Sequence, residues 1–388
     1  MNTNRGGRML RVLKVRLYPN IEQQQKIFQH FGSCRYVYNV LLDAKIKAYE
    51  CGDNLSIYEL KKRLVPMKKA KGGEWLREVD STALQNSILN IGKAYDNFFR
   101  RVKKGEAKVG FPKFKSKHNP RQNYSTSGAK RKDGKIYLPK IGLVKAKMHR
   151  NIEGIIKTST VSYEAGQFHI SMNIEDGKES AYGTNNSKTI GVDVGVKVFA
   201  YTSDGEAIKH VPLKKEIADV VKAQKTLSRR LKGGKNRAKA KATLAKKHLK
   251  LRNKRDDFLH KVTNRLSENQ AVKVENLNIK NMTKKAKGSI DNPNMRSSAK
   301  RGLNHSILKQ SWGKFFELLE YKLTRNGGKL IKVDPKFTSQ KCSKCGHISK
   351  ESRKSQSKFV CTVCNHTKNA DYNASINILN SHAVGTTV

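Results

Sequence analysis

KTIGVDVGVKVFAYTSDG, residues 188–205, reads as a buried strand with one acid in its middle, Asp193, then Gly195 and a second strand after a tight turn. An Asp near a glycine on a strand can equally be a turn residue, so the stretch needs company. AVKVENLNI, 271–279, supplies it: another short β run with a single acid, Glu275, where the strand should end. Two strands that each carry one carboxylate, in a chain otherwise dominated by cations, ask for a third acid and for a reason to gather them.

The third acid lies at the far end of CSKCGHISKESRKSQSKFVCTVCNHTKNADYN, 342–373. Two CxxC pairs separated by fifteen residues close a tetrahedral site with no open position, so Cys342, Cys345, Cys361 and Cys364 are expected to be structural zinc ligands. Asp371 follows the last cysteine by seven residues, at a helix start. If the ribbon is an insertion before the last helix of a ribonuclease-H-like fold, Asp371 is the first side chain after the chain re-enters that fold. DYNASINIL then continues as a helix with Ala374, Ile376 and Ile378 available for packing. Asp193, Glu275 and Asp371 converging would suit two Mg²⁺ ions about 3.5–4 Å apart, the arrangement for phosphodiester hydrolysis. The alternative for Asp371 is a helix N-cap.

Composition sets the partner. The chain has 388 residues with 80 Lys+Arg against 31 Asp+Glu, a formal net charge of +49, and 37% hydrophobic residues. It is therefore globular, and so much self-repulsion points to a polyanion, nucleic acid first. A purely structural role on ribosomes or chromatin would not require ordered carboxylate motifs. No apolar run approaches the roughly 18 residues of a membrane span. MNTNRGGRMLRVLKV lacks a signal-peptide apolar region, so a cytoplasmic protein is expected. Cys34 and Cys51 stand alone and far apart, and Cys34 reads as a small buried residue on a helix.

The N-terminal half changes period twice. MLRVLKVRLY, 9–18, alternates as a half-buried strand with Leu13, Val15 and Leu17 on one face, and Pro19 ends it. Helical spacing follows from Ile21 to about Glu50 and again over 82–99, where Leu84, Ile88, Ile91, Tyr95 and Phe98 form a stripe. Nine Lys/Arg between Arg100 and Arg121 then interleave with Phe111, Phe114 and Tyr124. That mixture suits phosphates and stacked bases, or else a solvated loop. Between about 123 and 175 short β runs return, with Phe168, Ile170, Met172 and Ile174 alternating, and a small barrel or curled sheet would accommodate them.

DGKESAYGTNNS, 176–187, reads as a linker. Beyond the strand pair, residues 222–255 hold fifteen Lys/Arg and no acid, with Gly233 and Gly234 breaking two helices that look built to lie along a nucleic-acid backbone. Residues 304–326 are expected to be one amphipathic helix through Leu308, Trp312, Phe315, Leu319 and Leu323, followed by the strand KLIKVDP.

GVDVGVK, VKVENLNI, VDPKFTSQKCSKCG, the second CxxC and NADYNASINI, in this order, resemble the TnpB family of insertion-sequence proteins, relatives of type V CRISPR effectors; RYVYN and GFPKFKSK extend the likeness over nearly the whole chain. The resemblance implies a multidomain α+β fold. Its parts would be a wedge β-barrel (1–20 and 123–180) with an inserted helical recognition domain (21–122), and a ribonuclease-H-like RuvC nuclease domain (188–340 and 369–388) with an inserted zinc ribbon (341–368). It further implies that Asp193, Glu275 and Asp371 form the catalytic triad with Mg²⁺, that the four cysteines hold Zn²⁺, and that the partners are a guide RNA from the transposon's end and double-stranded target DNA beside a short motif. Expected activity is RNA-guided DNA cleavage. An RNA-guided repressor without nuclease activity, or a transposase performing strand transfer with the same acids, are the alternatives.

Overall fold

The computed structural model describes residues 8–106, 109–150, 153–179, 185–285 and 297–384, and the chain divides into two compact units, Met1–Glu179 and Ser180–Val388.

The first unit opens with β1 (Arg8–Tyr18), whose alternate residues Leu13, Val15 and Leu17 are buried. Pro19 stops the ladder, and Asn20 begins α1 (Ile21–Glu50) through a capping box with Gln23. Two short helices, α2 (Ile57–Lys62) and α3 (Leu64–Lys69), lead to α4 (Ser81–Lys103), which buries Leu84, Ile88 and Ile91. Six strands follow: β2 (Arg121–Thr126), β3 (Lys130–Lys132), β4 (Lys135–Leu138), β5 (Gly142–Lys147), β6 (Ile155–Glu164) and β7 (Gln167–Glu179). They form one sheet with β1, in the order β2-β6-β7-β1-β5-β4-β3.

Strand pairing does not close this sheet: β2 and β3 stand at its two ends, so the expected barrel is an open sheet among the described residues. The physical reason is that helices do the covering. The apolar residues of α1 and α4 and those of β1, β4, β5 and β7 belong to one continuous core, and the Thr82 and Asn86 side chains on α4 hydrogen-bond to Thr126 and Ser125 of β2. β7 also runs to Glu179, through the first residues of the expected 176–187 linker; residues 180–184 of that linker lie outside the described residues.

The second unit is a five-stranded sheet, β10-β9-β8-β11-β12 in spatial order: β8 (Thr189–Val194), β9 (Ala200–Thr202), β10 (Ala207–Ile208), β11 (Ala271–Glu275) and β12 (Lys329–Val333). β8, β11 and β12 are parallel to one another and β9 is antiparallel to β8. Between β10 and β11 stands a hairpin of two helices, α5 (Lys214–Ser228) and α6 (Lys235–Leu266), broken where Gly233 takes a φ of 87° that glycine alone adopts cheaply. The short α7 (Ile279–Met282) follows β11.

The single helix expected over 304–326 is two helices, α8 (Ser297–Gln310) and α9 (Trp312–Arg325). Ser311 between them is left-handed, with φ 57°. The break also rotates the stripe: Ile307 is buried, whereas Leu308 is 61% exposed. Trp312, Phe315, Leu319 and Leu323 do pack with Phe199 and Val272 in the core of this unit. The chain then makes the ribbon, with β13 (Lys358–Val360) paired to β14 (Thr367–Asn369), and its last described helix is α10 (Ala370–Asn380). No helix among the described residues is long and apolar enough to cross a membrane.

Candidate active site and metal centre

β8 and β11 run parallel in register, Val192 opposite Val274, so the next residue on each strand, Asp193 and Glu275, stands side by side at the carboxyl ends. Carboxyl ends of parallel strands are where open α/β sheets hold ligands. The third acid arrives on α10, which lies directly on β8. A Cβ at Gly191 would fall 2.2 Å from the Ser375 carbonyl oxygen and 2.6 Å from the Leu379 nitrogen, so the helix can approach only because residue 191 has no side chain. Asp371 sits in the first turn of α10 but does not cap it. That role belongs to Asn369, whose side-chain oxygen accepts from the amides of Asp371 and Tyr372 and so leaves the Asp371 carboxylate to other partners.

The electrostatics are those of acids gathered without enough counter-charge. Burial first, then the charges of Glu275 and Asp371, push Asp193 well above the usual carboxylate range. Burial also raises Glu275 and Asp371. Opposing this is Arg353, from the ribbon between the two cysteine pairs: its guanidinium donates to Asp371 at 3.3 Å and pulls all three acids down. Lys197, on the turn after β8, lowers Asp371 as well. Glu275 accepts a hydrogen bond from the buried Thr338 hydroxyl. A divalent cation suits such a cluster, since positive charge stabilises the ionised form of every member.

The four ribbon cysteines meet more closely. Their sulfurs all lie within 4.8 Å of one another, with Cys342 to Cys364 at 3.7 Å and Cys345 to Cys361 at 3.5 Å. A tetrahedron of thiolates about 2.3 Å from a zinc ion has edges of about 3.8 Å, so these side chains fit a bound metal ion. The amide of Cys364 donates to the Cys361 sulfur and helps lower that thiol to about 6, toward the thiolate that ligates. Among the described residues this is the one group of three or more His, Cys, Asp or Glu side chains drawn to such spacing; the three carboxylates are set more loosely.

Arg353 and Thr338 escaped the sequence reading. Arg353 is one cation in a run of them, KESRKSQSK, and only the folded ribbon singles it out. Cys34 is buried as expected, its thiol pushed up to about 12 by burial.

Two basic surfaces complete the picture. In the α5–α6 hairpin, Glu216 and Asp219 of α5 pair with Lys254 and Lys247 of α6, so part of the positive charge zips the hairpin together. Lys235, Lys239, Lys241 and Lys246 are exposed and have no acidic partner among the described residues. In the first unit the Asn39 amide clamps the backbone of Lys115 through both its oxygen and its nitrogen, which fixes GFPKFKSK against α1 and leaves Phe111 and Phe114 about half exposed.

Family models match three stretches: a "Cas12f1-like, TNB domain" over residues 312–378, the IS605 OrfB "probable transposase" over 169–286, and the "helix-turn-helix domain" of the same OrfB proteins over 9–54, which here is a strand followed by one long helix. The "Putative RNA-guided DNA endonuclease InsQ" of Escherichia coli K12 is 36% identical over 381 residues, covering 97% of this chain and 93% of that one. A protein of the same descriptive name from Streptomyces pristinaespiralis is 31% identical over 381 residues, covering 95% and 88%. Among solved structures, a Cas12f1–sgRNA–target DNA complex superposes with a TM-score of 0.53 at 16% identity, over 96% of this chain and 99% of that one, which shows a shared mixed α/β multidomain fold.

Proposed function

Because this chain belongs to the TnpB family, the OrfB proteins of IS605-type insertion sequences, we propose that it is a transposon-encoded endonuclease that cuts double-stranded DNA at sites chosen by a bound guide RNA. The observation that carries the reading is the convergence of Asp193, Glu275 and Asp371 from two parallel strands and a helix, in a chain of net charge +49. A gathered acid site in a polycationic protein suits phosphodiester chemistry on a nucleic acid better than it suits binding alone.

In this reading Asp193, Glu275 and Asp371 hold two Mg²⁺ ions. When bound, the ions supply an activated water and a counter-charge for the leaving oxygen. The chain's own residues do the rest. The carboxylates must shed their protons to hold a cation, and their raised pKa values couple activity to pH. Arg353 balances part of their charge and offers a guanidinium to a phosphate oxygen. Cys342, Cys345, Cys361 and Cys364 bind one structural Zn²⁺ and take no part in the chemistry. The basic hairpin and the Asn39-clamped loop contact backbone phosphates.

We assign residues 1–20 and 123–180 to a wedge, 21–122 to target and guide recognition, 188–340 and 369–388 to the RuvC-like nuclease, and 341–368 to the ribbon. A short motif beside the target licenses binding, and the protein works in the cytoplasm on nucleoid DNA.

Strand transfer is a second reading, favoured by the transposase description of the matching family model. One experiment separates the two. The protein is purified with its copurifying RNA, the RNA is sequenced, and plasmids carrying the matching target beside a randomised flank are incubated with Mg²⁺. Linear products with free ends support the nuclease; joined strands support transfer. Binding without either product would leave an RNA-guided repressor.

A further inference from the structure

We infer that Thr338 is a positioning residue for the Glu275 carboxylate, and that Asn377 on α10 holds Thr338 in place to do it. The inference rests on the reading of Glu275 as an ion-holding acid. Thr338 is 4% exposed, and its hydroxyl reaches both the Glu275 carboxylate and the Pro335 carbonyl oxygen, the latter at 3.1 Å. The hydroxyl has one proton to donate, and the closer of its two acceptors is the Glu275 carboxylate, with the Pro335 carbonyl the weaker competitor. The bond to Glu275 serves the acid.

The turn that delivers Thr338 is strained in a way packing does not explain. Phe337, immediately before it, is left-handed at φ 64°, a conformation a bulky L residue rarely adopts. Phe337 is 42% exposed, so burying its side chain is not what the strain achieves. Strain of this kind persists where surrounding bonds over-determine it; here the Gln340 and Lys341 amides of the turn both donate to the Phe337 carbonyl at 2.9 Å, and further bonds to the turn come from α10. The Asn377 amide, 5% exposed, donates to the Thr338 carbonyl at 2.9 Å and to the Lys341 carbonyl at 2.7 Å. Asn373, fully buried, donates to Lys341 at 2.8 Å and accepts from the Ser343 amide at 3.0 Å. The helix that carries Asp371 therefore grips the turn that steadies Glu275, and the two acids are set with respect to each other through Asn377 and Thr338. Partners of this kind typically contribute about 10–100-fold in metal affinity.

The test uses the full chain with its copurifying RNA. Thr338→Val keeps the shape and removes the hydroxyl; Thr338→Ser keeps the hydroxyl. Two quantities are read: the Mg²⁺ concentration for half-maximal cutting, and, without DNA, the Mn²⁺ bound, counted from the loss of the free-ion electron paramagnetic resonance signal. The Val variant should need at least about ten-fold more Mg²⁺ and bind Mn²⁺ correspondingly more weakly, with target binding unchanged, and the Ser variant should recover both. In a Glu275→Gln background, Thr338→Val should add little to the loss of Mn²⁺ binding. Wild-type behaviour of the Val variant, equal losses in Val and Ser, or fully additive losses with Glu275→Gln would each overturn the assignment. A Glu275→Gln protein that cuts and binds Mn²⁺ normally would instead remove the nuclease reading beneath it.

Discussion

Arg353, between the two cysteine pairs of the ribbon, donates to the carboxylate of Asp371, on the first turn of α10, at 3.3 Å. The pair ties the cysteine ribbon to the acid cluster, and it is partly shielded from solvent, with side-chain exposures of 31% and 22%. Because this guanidinium lowers all three acids, Arg353→Gln should let them rise further. The acid limb of the cutting rate should then move to higher pH, and the Mg²⁺ requirement at pH 7 should change with it. A pH–rate profile superimposable on wild type would mean that Arg353 is only a surface partner of Asp371.

Asp193→Asn should make the metal-free protein more stable while abolishing cutting. A carboxyl whose folded pKa is raised binds its proton more tightly folded than unfolded. Its protonation favours the fold below the unfolded value, near 3.8 for this group, and that contribution is lost as pH rises through the higher folded value. At neutral pH the buried charge is a net cost, and Asn removes it. Melting temperatures measured with chelator present, from pH 4 to pH 8, should show wild type losing ground to the variant as pH rises. Equal curves would place Asp193 in a far wetter setting than its strand position implies.

What the sequence could and could not disclose divides along local and non-local lines. The alternation of Leu13, Val15 and Leu17, and of Phe168, Ile170, Met172 and Ile174, is a period-2 pattern with one face buried, and each of these residues is buried in the fold. Gly233 announced its helix break because only glycine takes that φ cheaply. Ser311 broke a helix with no such marker, so the stripe through Leu308 came out one residue off. Sheet closure depends on which edges pair, and no strand's own pattern records that. Asn369 took the cap that Asp371 could have filled, and Arg353 gained its place only from the folded ribbon.

Zinc removal should impair cutting before it impairs nucleic-acid binding. The Lys341 and Ser343 backbone groups that flank Cys342 are those gripped by Asn373 and Asn377, so loosening the knuckle frees the turn that holds Glu275. Purified protein should contain about one zinc. Releasing it with a thiol-modifying reagent, followed by a zinc-sensitive dye, should show cutting fall in step with zinc release while most of the RNA stays bound. A zinc-free preparation with full activity would refute the structural role.

Neutralising the exposed, unpaired lysines of α6 should weaken binding through charge alone. Lys235, Lys239, Lys241 and Lys246, changed together to Gln, leave the Glu216–Lys254 and Asp219–Lys247 pairs that zip α5 to α6 intact. If all four contact duplex phosphates, the slope of log affinity against log salt should flatten by up to about 3.6. The helical content should be unchanged, since Gln is nearly as good a helix former as Lys. An unaltered salt slope would show that these lysines are merely solvated.

Gly191→Ala should be the most damaging single methyl in the second unit. The added carbon would lie 2.2 Å from the Ser375 carbonyl oxygen and 2.6 Å from the Leu379 nitrogen, both backbone atoms of α10, so no rotamer change can relieve it. Gly191 has no positive φ, so the cost is a clash and not a conformational penalty. Overpacking costs about 1–3 kcal/mol, and a clash with rigid backbone belongs at the upper end. For a unit of this size that is a fall of about 6–12 °C in melting temperature. The helix can escape only by sliding off β8, and Asp371 moves with it. Cutting should therefore be lost at temperatures where circular dichroism still reports a folded chain. Gly134→Ala is the control, because nothing stands within 4 Å of its added carbon and its φ of 70° supplies conformational strain without a clash. If Gly191→Ala melts and cuts as Gly134→Ala does, α10 is not seated on β8 as described, and the convergence of Asp371 with Asp193 and Glu275 fails with it.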